Sequence, residues 1–134
     1  MALRWYTVVV DSHDVPTLSR WWAETLDFVV VYESEDEVTI IPRHMPTEPI
    51  EDAQTWMRQA QGLVFVPVPE GKTVKNRLHI DLAPHSSQDR DAEIARLVER
   101  GATLADVGQG DDVGWTVLRD PEGNEFCVLS SRAR

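Results

Sequence analysis

One order of segments occurs twice along the chain, and it limits the fold more than any single motif does. Residues Arg4 to Asp11 form a β-branched run too short for a buried helix, which predicts a strand ended by the polar Asp11-Ser12-His13. Asp14 then caps a helix whose first turn accepts Pro16, with Val15, Leu18, Trp21, Trp22 and Leu26 recurring as one apolar stripe. Strands follow at Phe28 to Tyr32, at Val38 to Ile41 (stopped by Pro42) and at Leu63 to Val68, with an acidic turn at Glu33-Ser34-Glu35-Asp36. Only residues 43–61 break the pattern, with Pro46 and Pro49 ahead of a short helical stretch between Ile50 and Ala60.

The same order returns after Gly71-Lys72-Thr73-Val74-Lys75. Arg77 to Ala83 alternates, placing Leu78, Ile80 and Leu82 on one face and His79 and Asp81 on the other. A helix begins at Ser86 or Ser87, carries Asp89, Asp91 and Glu93 early and Arg96 and Arg100 late, and stops at Gly101 in the C′ position. Thr103 to Val107, Trp115 to Arg119 and Glu125 to Leu129 are three more strands, the last two joined by the turn Asp120-Pro121-Glu122-Gly123-Asn124. The expectation is an α+β fold of two β-α-β-β-β modules, 1–70 and 76–134, within a single domain of 134 residues. A half of this length cannot bury its own sheet. The two therefore share one curved, eight-stranded mixed sheet, helices on its convex side and a cavity on its concave side.

Charge narrows the partners. Thirteen basic side chains stand against twenty-three acidic ones, for a net charge of −10, which repels nucleic-acid phosphates and anionic lipid surfaces. No nucleic-acid partner is expected. The acidity is uneven: residues 1–70 hold 4 basic and 12 acidic side chains, and residues 71–134 hold 9 and 11. A single cysteine, Cys127, permits no internal disulfide, and no secretory or membrane-length apolar stretch is seen, so a cytoplasmic protein away from membranes is expected.

The doubled order, Asp11-Ser12-His13-Asp14 leading into a helix with Trp21-Trp22, Lys75-Asn76-Arg77-Leu78-His79-Ile80-Asp81-Leu82 and Asp120-Pro121-Glu122-Gly123-Asn124-Glu125-Phe126-Cys127 together resemble the vicinal oxygen chelate superfamily. Within it the chain is similar to glyoxalase-like proteins of the glyoxalase, bleomycin-resistance and dioxygenase type. The resemblance implies four metal-binding positions on equivalent strands, which fall at about Thr7, Phe65, His79 and Cys127 in this sequence. Only His79 is a good family match. A hydroxyl is a poor ligand and a phenyl ring none, so the resemblance implies a small-molecule binding protein without the usual metal site and no obligatory cofactor. Related folds often dimerise, which makes a homodimer an option.

Read from the residues, His79 is the candidate catalytic group, as a general base or a ligand on a polar strand face. Asp81, Trp115, Glu125 and Cys127 are the candidate ligand-binding residues, to which the resemblance adds Thr7 and Phe65. If Asp81 and Glu125 point the same way as His79, those three could hold a divalent metal. Trp56 is a further aromatic candidate, and Arg77 and Arg119 would suit an anionic ligand from the concave side. The alternative to a binding protein is a metal-dependent lyase, isomerase or dioxygenase that uses His79 as ligand or base.

Overall fold

The computed structural model describes residues 3–105 and 114–134, which fall into two compact units, Met1–Gly71 and Lys72–Arg134. Their boundary lies in the glycine-lysine segment between the two repeats. In the first unit, the strands β1 (Thr7–Ser12), β2 (Phe28–Glu33), β3 (Val38–Pro42) and β4 (Gly62–Pro67) form a sheet in the order β1-β4-β3-β2. β1 and β4 run parallel, while β2, β3 and β4 form an antiparallel meander. The parallel pair needs a long connection, and the intervening helix and strands supply it.

Helix α1 (Val15–Leu26) starts where expected. The Asp14 carboxylate accepts a hydrogen bond from the Thr17 N–H at 3.3 Å, and proline occupies the first turn, where its missing N–H is harmless. Val15, Leu18, Trp21 and Trp22 are buried, and the two indoles meet edge to face with centroids 5.1 Å apart. Alternation along β4 buries Leu63 and Phe65 on one face. Between β3 and β4, the irregular segment holds the one-turn helix α2 (Ala53–Met57), capped by Asp52, whose Trp56 ring lies 4.9 Å from the Arg4 guanidinium.

The second unit repeats this order as β5 (Ile80–Leu82), α3 (Arg90–Glu99), β6 (Thr103–Leu104), β7 (Trp115–Arg119) and β8 (Glu125–Leu129), in a sheet ordered β5-β8-β7-β6. Again the first and last strands are parallel and the rest antiparallel. The fold class is the expected α+β. Asp106 and Val107, expected to close the sixth strand, lie outside the described residues.

β1 begins at Thr7, three residues later than expected, and two boundaries in the second unit differ from the sequence reading for local reasons. β5 spans three residues instead of seven, because its ladder with β8 extends only from Ile80–Phe126 to Leu82–Val128. Upstream, the Asn76 N–H bonds to the Glu125 side chain at 3.0 Å, and Leu78 is 89% exposed instead of facing a core. Helix α3 starts at Arg90 behind an Asp89 cap, not at Ser86 or Ser87. The Asp89 carboxylate accepts from the Asp91 and Ala92 N–H groups, whereas Ser87 is engaged with the His85 ring. The helix ends as expected, with Gly101 at φ 115°, a conformation that favours glycine.

Candidate functional site

Alternation on three adjacent strands builds one face of the second sheet. In the parallel register of β5 and β8, Asp81 lies opposite Cys127. In the antiparallel register of β7 and β8, Val117 lies opposite Cys127 and Trp115 opposite Leu129. Because side chains alternate with period two, Glu125, Cys127 and Leu129 share a face with Trp115, Val117 and Asp81. His79, two residues before Asp81, joins them. These side chains, with Lys75, line an open hollow of about 290 Å³. On the opposite face, the Arg90 guanidinium of α3 donates to the Thr116 hydroxyl and to the Val128 carbonyl, anchoring the helix away from the hollow.

The hollow has a polar pole and an apolar wall. At the pole, His79 Nε2 lies 3.1 Å from Asp81 Oδ1, both side chains being close to half exposed. Cys127 is only 6% exposed. Burial pushes its thiol pKa up, and the negative charge of Asp81 and the hydrogen bond to it push it further, while Lys75 opposes them. The protonated thiol is therefore the resting form at neutral pH. Among the described residues, the donor atoms of His79, Asp81 and Cys127 lie within 4.8 Å of one another. Trp115, Val117 and Leu129 form the wall, and Val117, Cys127 and Ala105 belong to one buried cluster against which Leu129 packs.

Glu125 stands apart from that trio although it lines the same hollow. Its carboxylate is 7% exposed, lies 3.1 Å from the Lys72 ammonium and accepts from the Asn76 N–H at 3.0 Å, while the Asn76 side-chain amide donates to the Glu125 backbone carbonyl at 3.4 Å. Burial would raise the Glu125 pKa. The hydrogen bonds from Asn76 and Lys72, with the Lys72 charge, outweigh that and hold it below the usual carboxylate value. Lys72 is fixed in turn by donating to the Val74 carbonyl. This latch ties the segment ahead of β5 to the first residue of β8 and so positions Lys75 and His79.

Of the residues singled out from sequence, His79, Asp81, Trp115, Glu125 and Cys127 surround this hollow. Thr7 and Phe65 belong to the first unit. There the Thr7 hydroxyl donates to the Gly62 carbonyl at 3.1 Å and Phe65 is fully buried. For a metal, the carboxylate expected to join His79 and Asp81 was Glu125, but the donor brought within reach of both is Cys127. Arg77 is exposed, and neither it nor Arg119 lines the hollow. Trp56 stacks on Arg4 in the first unit. Sequence reasoning missed Lys75, Val117 and Leu129. The period-two pattern of β7 and β8 carried the signal for Val117 and Leu129, whereas Lys75 precedes its strand and had none.

Residues 7–129 match the family described as Glyoxalase-like domain. No curated protein matches the chain. Among solved structures, a glyoxalase/bleomycin resistance protein/dioxygenase family enzyme from Burkholderia phytofirmans is similar at 14% identity and a TM-score of 0.68, covering 96% of this chain and 98% of that one. A glyoxalase/bleomycin resistance protein from Albidiferax ferrireducens is similar at 18% identity and a TM-score of 0.59, covering 94% and 97%. The fosfomycin resistance protein FosX from Listeria monocytogenes, complexed with Mn(II) and sulfate, is similar at 10% identity and a TM-score of 0.68, covering 98% and 92%. At these identities the likeness is one of fold. No helix among the described residues is long and apolar enough to cross a membrane.

Proposed function

As the chain belongs to the glyoxalase-like domain family, we propose that it binds a small organic molecule in the hollow of its second unit, without the usual metal centre of that superfamily. One observation carries this reading: a polar pole of His79, Asp81 and Lys75 faces an apolar wall of Trp115, Val117 and Leu129 around about 290 Å³. A ligand of modest size with a polar head and a planar or apolar body suits that division, because a few placed polar groups orient it while apolar contact supplies most of the affinity. The Lys75 ammonium offers donors to an oxygen of the head group, and Trp115, 41% exposed, offers a ring face to the body. The four-position site of the superfamily is a poor match here. Thr7 is committed to a carbonyl and Phe65 has no donor. The Mn(II) held by the Listeria protein is an ion for oxygen and imidazole ligands, whereas the donors gathered here include a thiol, so manganese does not fit them.

The His79–Asp81 pair favours a second reading, an enzyme that removes a proton next to a carbonyl. A carboxylate accepting the Nε2–H of an imidazole leaves Nδ1 as the basic nitrogen, the arrangement general-base catalysis uses. The test is a titration of ¹⁵N-labelled protein with a fragment library of carboxylates, vicinal diols, ketones and amines. The binding reading expects a hit that shifts Lys75–Leu82, Trp115–Val117 and Glu125–Leu129 together and weakens in Trp115→Ala. Shifts confined to other segments across the whole library would refute it. Turnover of a bound ketone that His79→Ala abolishes, with binding retained, would establish the second reading.

A further inference from the structure

We propose that the hollow selects small organic monocarboxylates, the acid group lying on the Lys75 ammonium and the apolar body against Trp115, Val117 and Leu129. The inference rests on the reading of the hollow as a binding site and names the class of molecule it takes. Every residue that lines it belongs to the second unit.

The balance of charge at the polar pole carries the argument. Lys75, Asp81 and Glu125 line the hollow as charged side chains, beside the titratable His79. Glu125, 7% exposed, is held by the Lys72 ammonium at 3.1 Å and the Asn76 N–H at 3.0 Å, so its charge is met within the protein. Asp81 accepts from the Cys127 thiol and faces His79 Nε2 at 3.1 Å, so its oxygens are engaged by neighbours. Lys75 has no such match. Among the described residues it makes no ion pair, and its hydrogen bond to the Asn76 carbonyl, at 3.4 Å, is long. An ammonium carries three N–H donors, and most of its capacity stays open to a ligand.

The neighbouring residue fixes where that cation stands. Asn76 donates its backbone N–H to the Glu125 carboxylate and its side-chain amide to the Glu125 backbone carbonyl, which anchors the chain one residue beyond Lys75 to the start of β8. The backbone under Lys75 is therefore set before any ligand arrives, and its positive charge is felt at Cys127, where it opposes the rise in the thiol pKa.

The sign and size of the ligand charge follow. A neutral head group seated on Lys75 strips water from an ammonium without returning a charge, whereas a carboxylate offsets that loss with a charge-assisted hydrogen bond. An amine meets the like charge of Lys75 and has to take Asp81 from His79 and Cys127. A phosphate or phosphonate dianion needs a second cation, and neither Arg77 nor Arg119 lines the hollow; its extra charge would also face Asp81. One negative charge is what the pole can match. A volume of about 290 Å³ lies at the small end of ligand pockets, which limits the body to roughly one ring.

The test is a titration of the intact ¹⁵N-labelled chain at neutral pH with phenylacetate, phenylacetamide and phenethylamine, which share a body and differ in head-group charge. The acid should shift Lys75–Leu82, Trp115–Val117 and Glu125–Leu129, bind about 10-fold more tightly than the amide and weaken as salt is raised, and the amine should bind more weakly than the amide. Lys75→Met should lower the acid to the affinity of the amide and leave the amide unchanged. Lys75→Arg should keep the preference, and Lys75→Glu should reverse it in favour of the amine. Arg96→Met, at an exposed position on α3, should leave all three affinities as they are. Equal affinity for acid and amide, or an acid preference that survives Lys75→Met, would overturn the proposal and leave the hollow a binding site. Failure of every carboxylate in the fragment library to shift the hollow, where other members do shift it, overturns the acid alone; failure of every member overturns both readings.

Discussion

Removing the Glu125 carboxylate should loosen the segment that carries Lys75 and His79 before it disturbs the strands. In the native chain this carboxylate, 7% exposed, satisfies the Asn76 N–H at 3.0 Å and pairs with the Lys72 ammonium at 3.1 Å. Glu125→Ala leaves a part-buried N–H without its acceptor, a loss of about 1–3 kcal/mol, and strands a cation in a half-shielded place. Lys72 is itself 17% exposed and keeps its bond to the Val74 carbonyl, so its share falls well below that of a fully buried pair. The sum is about 2–4 kcal/mol for alanine. Glu125→Gln, which can still accept from Asn76 but carries no charge, should cost about 1–2 kcal/mol.

Urea unfolding at neutral pH measures both values, and with an m of about 2 kcal/mol/M the alanine variant should unfold about 1–2 M earlier than the parent. Amide exchange at Asn76 should accelerate in Glu125→Ala and stay slower in Glu125→Gln. The acid limb adds a sign. Because the folded Glu125 pKa lies below the unfolded one, its contribution is complete above the ordinary carboxylate range and disappears as pH falls through the folded value. The parent should therefore lose stability on the acid side of that range more steeply than Glu125→Gln. An alanine variant within about 0.5 kcal/mol of the parent, or identical acid limbs for parent and glutamine variant, would refute the latch.

Three further outcomes follow from local geometry. Gly62→Ala would place a Cβ 2.6 Å from the Ile40 carbonyl oxygen, so two strands must part; the expected loss is about 1–3 kcal/mol by thermal or urea unfolding, against an unfolded-state gain of under about 1 kcal/mol. Asp120→Ala removes the acceptor for the Glu122 and Asn124 N–H groups at 2.9 and 3.0 Å in the turn between β7 and β8; a loss of about 2–4 kcal/mol is expected in the same assay. Cys127, buried and with its thiol pKa raised, should alkylate with iodoacetamide at pH 8 at least about 10-fold more slowly in the native chain than in the urea-unfolded one, as followed by mass spectrometry.

Much of the architecture was legible because its signals are local. The valine-rich runs, the Trp21-Trp22 stripe behind Asp14 and the turn at Asp120 to Asn124 depend on neighbours a few residues away, and their doubled order carried the α+β class. The alternation read over Arg77 to Ala83 paired His79 with Asp81, and both do line the hollow, but it failed for Leu78, which is exposed ahead of a shorter strand. Boundaries set by competition were not legible. Asp89 outdid two serines as helix cap because Ser87 was taken by His85, and β5 stopped short because Asn76 found a side-chain acceptor where a ladder would have continued.

The make-up of the polar pole was a question of register between β5 and β8, which are separated by more than forty residues. Sequence alone suggested that His79 and Asp81 share a face, and both line the hollow although β5 begins only at Ile80. Which donor joins them was decided only in three dimensions. The parallel pairing sets Cys127 against Asp81, while Lys72 and the Asn76 N–H hold the Glu125 carboxylate elsewhere. A shift of one residue in that pairing would have turned the cysteine to the opposite face, and no local pattern carries the information that prevents it.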